Sequence, residues 1–280
     1  MTLVEALHQI LNREDHDAAE LIEKALRRDG VAINCCCNVT AARTENSERM
    51  LVLDGAGGCG ELRVDEIVIG VGRAPNVEGL GLEAAGVDYD RNGVKDNDRL
   101  QTSNVRIFAA GDICRSYKLT HAADAMARIA IQNALFLGRA KVSALTMPCC
   151  TYTDLEIAHI GLYEKEAEKR GIPVQTLHQE LKDVDRAVLN GETQGFVKIH
   201  LRNGTDQILG ATVVARHAGE IVSELTLAIV GRLGLKAVAR TIHPYPTQAE
   251  AIKKVADAYN RTRLTPLVKR MFEKWLAWMR

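Results

Sequence analysis

The chain has 280 residues, of which 46% are hydrophobic and 26% charged, a composition typical of a globular protein with a sizeable core. Lysine plus arginine equal aspartate plus glutamate at 36 each and aromatic residues are only 4%, so neither a basic field nor a base-stacking surface points to nucleic acid. Because no apolar run of about 18 residues and no signal-peptide pattern occurs, we expect a cytoplasmic protein.

The opening stretch, MTLVEAL, reads as the end of an apolar strand that is closed by Glu5. In a βαβ nucleotide-binding unit, an acid at the end of the second strand holds the adenosine ribose, about 20 residues after a glycine-rich turn. No such turn stands before Glu5. We therefore expect that this sequence starts in the middle of a domain.

The next elements alternate between helix and strand. Apolar and small residues recur at helical spacing from Asp15 to Arg28, and VAINCCC follows as a strand. Two strand-like runs then flank the polar turn at residues 45–48, and DEIVIGVG, at 65–72, predicts a short buried strand. This order is typical of the closing part of an α/β nucleotide-binding domain.

RIFAAGDIC, at residues 106–114, carries the most specific local signal. It predicts a strand that ends in Gly111 and Asp112, where the backbone can approach a ligand and a carboxylate can accept hydrogen bonds from hydroxyl groups. A plain Gly-Asp turn is the structural alternative. A long helical pattern begins near Leu119.

From Cys149 onward the pattern changes to α+β. It predicts a strand in YTDLEIAHIGL, a charged helix in YEKEAEKRG, a hairpin in GFVKIHLR and QILGATVVA, and helices in AGEIVSELTLAIVGRLG and PTQAEAIKKVADAYN. The last segment, 264–280, predicts an amphipathic helix with a basic polar face. Such a helix either packs on its own protein or dimer partner, or makes weak contact with a membrane surface.

Seven cysteines stand at positions 35, 36, 37, 59, 114, 149 and 150. The odd number, the adjacent members and the absence of a C-x-x-C pair favour reduced thiols over a disulfide framework or a zinc site. Binding of a soft metal by Cys35–Cys37 or by Cys149 and Cys150 is the competing interpretation. We assign no metal ligand.

Several motifs occur in a fixed order: GVGRAPN, LQTSNVRIFAAGDIC, LTHAADA, YTDLEIAHIGL, ILGATVVARHAGEIVSELTLAI and HPYPTQAEA. In this order the chain resembles the flavin-dependent pyridine nucleotide–disulfide oxidoreductases, above all their mercuric-reductase-like and dihydrolipoamide-dehydrogenase-like members. The resemblance implies an α/β plus α+β fold, in which the C-terminal portion of two dinucleotide-binding domains precedes an α+β dimerisation domain. The implied domains are 1–72 for NAD(P), 73–147 for FAD and 148–280 for dimerisation.

The resemblance implies an FAD site in the middle of the chain. Asp112 would hydrogen-bond the ribityl or phosphate-linked part of the flavin, and Gly111 would allow close approach. Thr120, His121 and Ala122 would open a helix whose N-terminal amides face the flavin pyrimidine edge, where positive helix-end potential stabilises the anionic reduced flavin.

The resemblance also implies residues for the nicotinamide cofactor and for the turn between the nucleotide domains. Gly72 and Arg73 match the G-R-x-P-N turn of the family. Glu5 matches the acid that pairs with the ribose 2′-hydroxyl, which favours NADH over NADPH, since an NADP site would place an arginine there. An ordinary surface acid is the alternative for Glu5.

HPYPTQAE bears on the reaction type. Disulfide-reducing members of the family have H-P-T-x-x-E, in which the glutamate orients a histidine that acts as acid and base. Here Tyr245 takes the place of that histidine and Glu250 that of the glutamate. A tyrosine at this place resembles the mercuric reductases of the family. His243, two residues earlier, is either a loop histidine or an acid–base group that the loop turns inward.

The implied function is transfer of a hydride from NADH to FAD, then of electrons to a disulfide, a metal or a thiol substrate. Because the N-terminal flavin motif and the redox cysteine pair of the family are missing from this sequence, we expect the chain to be inactive alone and to form a homodimer through residues 148–280. A non-catalytic dimerisation or regulatory module with the same fold is the alternative function. A free-standing metal-binding protein is a third.

Overall fold

A computed structural model describes residues 1–46, 48–56 and 60–279 of the chain. These residues form two compact units. The first unit contains Met1–Ile67 together with the residues from Pro148 onward, and the second contains Val68–Met147.

In the described residues, the strands are β1 Thr2–Val4, β2 Ala32–Asn34, β3 Cys37–Glu45, β4 Glu48–Gly55, β5 Gly60–Val64, β6 Tyr89–Asp90, β7 Gly93–Val94, β8 Cys149–Thr151, β9 Glu156–Gly161, β10 Val174–Glu180, β11 Phe196–Arg202 and β12 Ile208–Ala215. The α-helices are α1 His16–Arg28, α2 Thr120–Leu135, α3 Glu164–Lys169, α4 Asp185–Asn190, α5 Ala218–Val230, α6 Leu235–Arg240, α7 Glu250–Thr262 and α8 Pro266–Met279. Short 3₁₀ turns occupy Gly111–Ile113, Val142–Ala144 and Leu181–Asp183.

The N-terminal part of the first unit is a βαβ arrangement followed by a small antiparallel sheet. β1 and β2 pair in parallel, and α1 connects them with Ala18, Ile22 and Ala25 buried. The helix predicted from Asp15 to Arg28 is thereby confirmed. β3, β4 and β5 form an antiparallel sheet, as the two strand-like runs predicted, although Ser47 of the predicted turn lies outside the described residues.

The C-terminal part of the first unit is built on a five-stranded sheet with the order β10-β11-β12-β9-β8. The predicted hairpin is confirmed, because β11 and β12 pair antiparallel. Strand residues such as Ile199 and Val213 alternate inward and form one apolar core with Leu225 of α5 and Ile252 of α7. The helical periodicities of AGEIVSELTLAIVGRLG and PTQAEAIKKVADAYN are confirmed as α5 and α7.

The opposite face of this sheet packs on the N-terminal residues in two ways. Apolar side chains, among them Ile157, Phe196 and Val214, form a second core with Ile22 and Ile33. Beside this core lies a cluster of polar side chains, which we call the polar layer. Its members are Glu14, Asp15, Asp17, His159, Tyr163, Lys198 and His200.

Lys198 is the cation of the polar layer, and its side chain is only 8% exposed. Its Nζ lies 2.7 Å from Asp15 Oδ2 and 2.9 Å from both carboxylate oxygens of Asp17. Burial alone would lower the pKa of Lys198, but the hydrogen bonds to Asp15 and Asp17 outweigh it, so the pKa lies above its usual value. Lys198 therefore joins β11 to the start of α1.

Two histidines extend the polar layer across the sheet. His159 is stacked on Tyr163 with ring centroids 3.4 Å apart, and its Nδ1 lies 2.9 Å from Thr212 Oγ1. Tyr163 in turn donates a hydrogen bond of 2.9 Å to Glu14 Oε2. Burial lowers the pKa of His159 to about 4 and lowers that of His200. Both rings are consequently neutral at neutral pH.

The second unit is organised around α2, which confirms the helical pattern predicted from Leu119. Met126 and Ile129 of α2 pack with Leu100 in one small core. The C-terminal end of this unit is bound to the segment before Leu100 through Asp98. The carboxylate of Asp98 accepts hydrogen bonds from the backbone N–H and the hydroxyl of Ser143, at 2.8 and 2.7 Å.

Some predicted strands are wrong. DEIVIGVG contains no strand, and Val68, Ile69 and Val71 are exposed, because a β-branched run becomes a strand only beside a partner and no described strand pairs with it. In RIFAA only an isolated bridge forms, between Phe108 and Gln101. The predicted VAINCCC strand is interrupted at Cys36, which has a φ of 56°.

The predicted C-terminal amphipathic helix is confirmed as α8, none of whose described residues is buried. Within the described residues, no helix is long and apolar enough to cross a membrane.

Candidate functional site

The turn at Gly111 brings backbone and helix close together in the second unit. Gly111 is buried with a φ of 84°, and a Cβ on it would lie 3.0 Å from the Cβ of Ala123. Its carbonyl accepts the backbone N–H groups of Cys114 and Arg115. Glycine is therefore required here both by the conformation and by the approach of α2. The next residue, Asp112, is exposed.

The N-terminus of α2 supplies hydrogen-bond donors beside this turn. Leu119, the residue before the helix, has no side-chain acceptor that could cap the first amides, and the helix end carries a positive partial charge. Ala122 is fully buried and anchors the first turn, whereas Thr120 and His121 are exposed. These features fit an anionic or electron-rich ligand, because amides of the first helical turn bind such groups.

Arg73 is held against the segment that leads into α2. Its Nη1 donates a hydrogen bond of 2.7 Å to the carbonyl of Lys118, and Lys118 Nζ bonds back to the Arg73 carbonyl. Gly72 before it has a φ of 110° and open space around its Cα. The turn predicted for Gly72 and Arg73 thus lies beside the start of α2 within the same unit.

Glu5 directly follows β1, at the carboxyl end of the parallel β1–β2 pair. Its N–H bonds the carbonyl of Asn34 at 2.9 Å, and its Oε1 accepts the N–H of Leu7 at 2.9 Å. Ligands of α/β sheets bind beyond the carboxyl ends of the strands. Glu5 therefore stands where an acid can meet a ribose hydroxyl.

The loop between α6 and α7 turns His243 inward. The side chain of His243 is 5% exposed, and its Nε2 lies 2.9 and 3.2 Å from the two carboxylate oxygens of Glu224 on α5. Its Nδ1 lies 3.2 Å from the carbonyl of Thr241. The Glu224 side chain is 31% exposed, so the pair is partly open to solvent. A carboxylate–imidazole pair is an arrangement that can hold and orient a proton.

Tyr245 contacts a different carboxylate. Its hydroxyl donates a hydrogen bond of 2.8 Å to Asp185 Oδ2 at the start of α4, and its ring is largely exposed. The hydrogen bond to Asp185 raises the pKa of Tyr245, because the carboxylate favours the protonated phenol. The phenol can donate a hydrogen bond but is a poor base at neutral pH.

Glu250 is the first residue of α7, and its Oε1 lies 3.8 Å from Lys254 Nζ. Its other oxygen is buried without a hydrogen-bond partner among the described residues. Within those residues no hydrogen bond joins Glu250 to Tyr245 or His243. The structure thus places His243 and Tyr245 in the loop before α7 and Glu250 at the start of that helix. It pairs Tyr245 with Asp185 and His243 with Glu224, two partners that sequence reasoning missed.

The cysteines form no cluster of metal ligands in the described residues; Cys59 lies outside them. Cys150 lies 3.9 Å from Glu156 Oε2, and burial together with that carboxylate raises the pKa of its thiol to about 11. Glu156, His217 and Glu220 approach one another, but Glu156 accepts the N–H of Gly219 at the positive end of α5, which opposes a cation. We assign no metal to this group.

Two family descriptions match the chain. "Pyridine nucleotide-disulphide oxidoreductase" matches residues 1–127, and "Pyridine nucleotide-disulphide oxidoreductase, dimerisation domain" matches residues 147–256. Together they cover most of the chain, in the order that the motifs predicted.

Individual relatives agree with these matches. The dihydrolipoyl dehydrogenase of Thermus scotoductus is 34% identical over 264 residues, which are 93% of this chain and 57% of that protein. A mercuric reductase of Streptomyces lividans is 33% identical over 252 residues, 90% of this chain and 53% of that protein. Among solved structures, LpdA of Mycobacterium tuberculosis is 26% identical with a TM-score of 0.84, over 92% of this chain and 56% of that one.

The chain spans about half the length of the curated relatives it matches. Its fold is also that of the flavoprotein disulfide reductase RclA of Escherichia coli, with a TM-score of 0.83 and 24% identity over 91% of this chain and 58% of that one. On the two domain matches, the relatives and the shared fold, the chain belongs to the pyridine nucleotide-disulphide oxidoreductase family.

Proposed function

We propose that this chain is part of an FAD-dependent NAD(P)H oxidoreductase. In that enzyme, hydride passes from the nicotinamide to the flavin, and electrons pass on to a disulfide, metal or thiol substrate. The observation that carries the proposal is the turn at Gly111, whose backbone lies against Ala123 in the first turn of α2 and is followed by the exposed carboxylate of Asp112. A carboxylate for hydroxyl groups and amides for an electron-rich edge are the two functions that a flavin requires there. When bound, FAD supplies the electron-transfer chemistry.

The finer assignments belong to the same proposal. Glu5 favours NADH, because a carboxylate attracts a ribose hydroxyl and repels a 2′-phosphate. Tyr245 in the place of a histidine favours a metal or another acceptor over a disulfide. Residues 1–72, 73–147 and 148–280 are proposed as the NAD(P), FAD and dimerisation parts.

The test is the flavin content of the protein that carries this sequence, purified from its own cells without added cofactor. We expect an oxidised-flavin absorbance band that NADH bleaches faster than NADPH. Asp112→Ala should lower flavin retention, whereas Asp124→Ala, an exposed acid on α2 paired with Arg128, should not. Protein that is folded but free of flavin would favour a non-catalytic dimerisation or regulatory module instead.

We also propose a homodimer formed through residues 148–280. On α5 and in the loop that follows α6, apolar side chains are exposed in the single chain: Leu227 is 67% exposed, Val230 61% and Ile242 93%. Exposed apolar patches of this kind are typical of interfaces.

Light scattering at micromolar concentration should give twice the chain mass of 30.7 kDa. Leu227→Lys should shift the mass to that of a monomer, because it places a charge in the apolar patch. The matched control Val39→Lys, also at a half-exposed site but on β3, should remain dimeric. A monomeric wild-type chain would contradict the proposal.

A cytoplasmic location and contact of the C-terminal helix with a membrane surface also remain proposals.

A further inference from the structure

The helix α8 has recognisable start signals, although none of its residues is buried by the part of the chain that the structure describes. Thr265 precedes the helix, and its Oγ1 accepts the N–H of Val268 at 3.4 Å in the manner of an N-cap. Pro266 occupies the first helical position, which suits its fixed φ. The local sequence therefore favours a helix whose apolar side chains are nevertheless exposed.

The side chains of α8 separate cleanly around the helix axis. At about 100° per residue, the large apolar side chains fill one half of the helix, an arc of about 180°: Leu267, Val268, Met271, Phe272, Trp275, Leu276, Trp278 and Met279. The remaining half holds Lys269, Arg270, Glu273 and Lys274. Such an arc is wider than the roughly 100° stripe of a helix that packs on a globular core.

The positions of the charges favour a lipid surface. Lys269 and Lys274 stand at the two edges of the apolar half, where their long side chains can extend their ammonium groups outward to headgroups while their stems stay in contact with apolar surface. Glu273 stands near the middle of the polar half, farthest from such a surface. Among the described residues, none of the three cations of α8 forms a salt bridge.

The charge and the tryptophans of α8 distinguish a lipid surface from a second copy of the helix as the partner of the apolar half. The whole chain has no net charge, so the excess of three cations over one acid on α8 is local. A second copy of α8 would bring the same excess and repel it, whereas anionic headgroups attract it. Both tryptophans of the chain, Trp275 and Trp278, lie in the apolar half, and tryptophan favours the membrane–water interface.

We propose that α8 lies flat on an anionic lipid surface, with its apolar half at the boundary between headgroups and acyl chains. A helix of 14 residues is about 21 Å long, which is too short to cross a hydrocarbon core of roughly 30 Å. The helix therefore binds on the surface of the bilayer. This proposal does not depend on the proposed oxidoreductase function.

The test uses the full chain and vesicles of phosphatidylcholine with or without phosphatidylglycerol. Because both tryptophans lie on α8, tryptophan emission reports on this helix alone. We expect a blue shift and co-sedimentation with the anionic vesicles, weaker binding to the neutral ones, and release by salt.

Variants of α8 test which of its side chains contact the vesicles. Lys269→Glu with Lys274→Glu should weaken binding to the anionic vesicles by roughly tenfold or more, and Trp275→Glu should also weaken it while Trp278 still reports. Glu273→Gln, the matched change in the middle of the polar half, should keep full binding. Because α8 has no buried residue, these variants leave the core intact, which circular dichroism checks.

Absence of any blue shift on anionic vesicles, or equal binding to neutral ones, would overturn the proposal. A fall in the light-scattering mass of Trp275→Glu without vesicle binding by the wild type would also overturn it and assign the apolar half to a second copy.

Discussion

Replacing Lys198 with methionine should lower the free energy of unfolding by about 3–5 kcal/mol, because it leaves the buried carboxylate of Asp15 without its cation. The side chain of Asp15, 2.7 Å from Lys198 Nζ, is only 10% exposed, so water cannot replace the lysine there. Methionine has a similar shape and keeps most of the packing. The loss is thus electrostatic, and urea unfolding of the chain measures it.

Two further variants isolate this effect. Lys24→Met removes a lysine that lies 2.7 Å from Glu20 on the exposed side of α1, with side chains 65% and 48% exposed, and should cost less than about 0.5 kcal/mol. Adding Asp15→Leu to Lys198→Met should recover much of the loss, because the buried charge disappears with its partner. A Lys198→Met variant as stable as Lys24→Met would contradict the interpretation.

Acidification should destabilise the protein between pH 6.5 and about 4, through His159 by about 3 kcal/mol in total. Burial lowers the pKa of His159 from 6.5 to about 4. Between these two pH values the histidine is protonated in the unfolded chain but stays neutral in the folded chain. Stability is therefore fully present above pH 6.5 and is lost as the pH falls. Nearby Lys198 strengthens this effect, since a cation disfavours imidazolium, whereas Asp15 opposes it.

The measurement is urea unfolding at a series of pH values for the wild type and for His159→Asn. The variant should show a flatter dependence between pH 4 and 6.5, with a residual slope of the same sign from His200, whose pKa burial also lowers. The exposed His8→Asn variant is the matched control and should keep the wild-type slope. Equal slopes for wild type and His159→Asn would rule out this assignment.

Helices with a local apolar period could be predicted from the sequence, whereas strands without local partners could not. In each of α1, α5 and α7, residues three and four positions apart lie on one buried face; α1 packs in one core, and α5 and α7 pack in another. DEIVIGVG has the composition of a buried strand, but the neighbour that it requires is not present among the described strands.

The same limit applies to the candidate site. The Gly-Asp turn is local and could be recognised, whereas the reason for its glycine, a φ of 84° at Gly111, is seen only in the structure. The partner of His243 is Glu224, 19 residues earlier, and Lys198 meets Asp17 across 181 residues. Neither pairing leaves a periodic signal in the chain, so only the tertiary structure identifies them.

The polar layer has a consequence for exchanging parts between related proteins. The apolar core on one face of the five-stranded sheet should tolerate hydrophobic substitutions that conserve its volume and pattern, because apolar packing depends little on which aliphatic side chain is present. The opposite face also packs apolar side chains on the N-terminal segment, but it additionally requires carboxylates at the positions of Asp15 and Asp17, because Lys198 is buried and would otherwise have no anionic partner. A chimaera that takes its first 67 residues from a relative should therefore fold well only when that relative brings both acids.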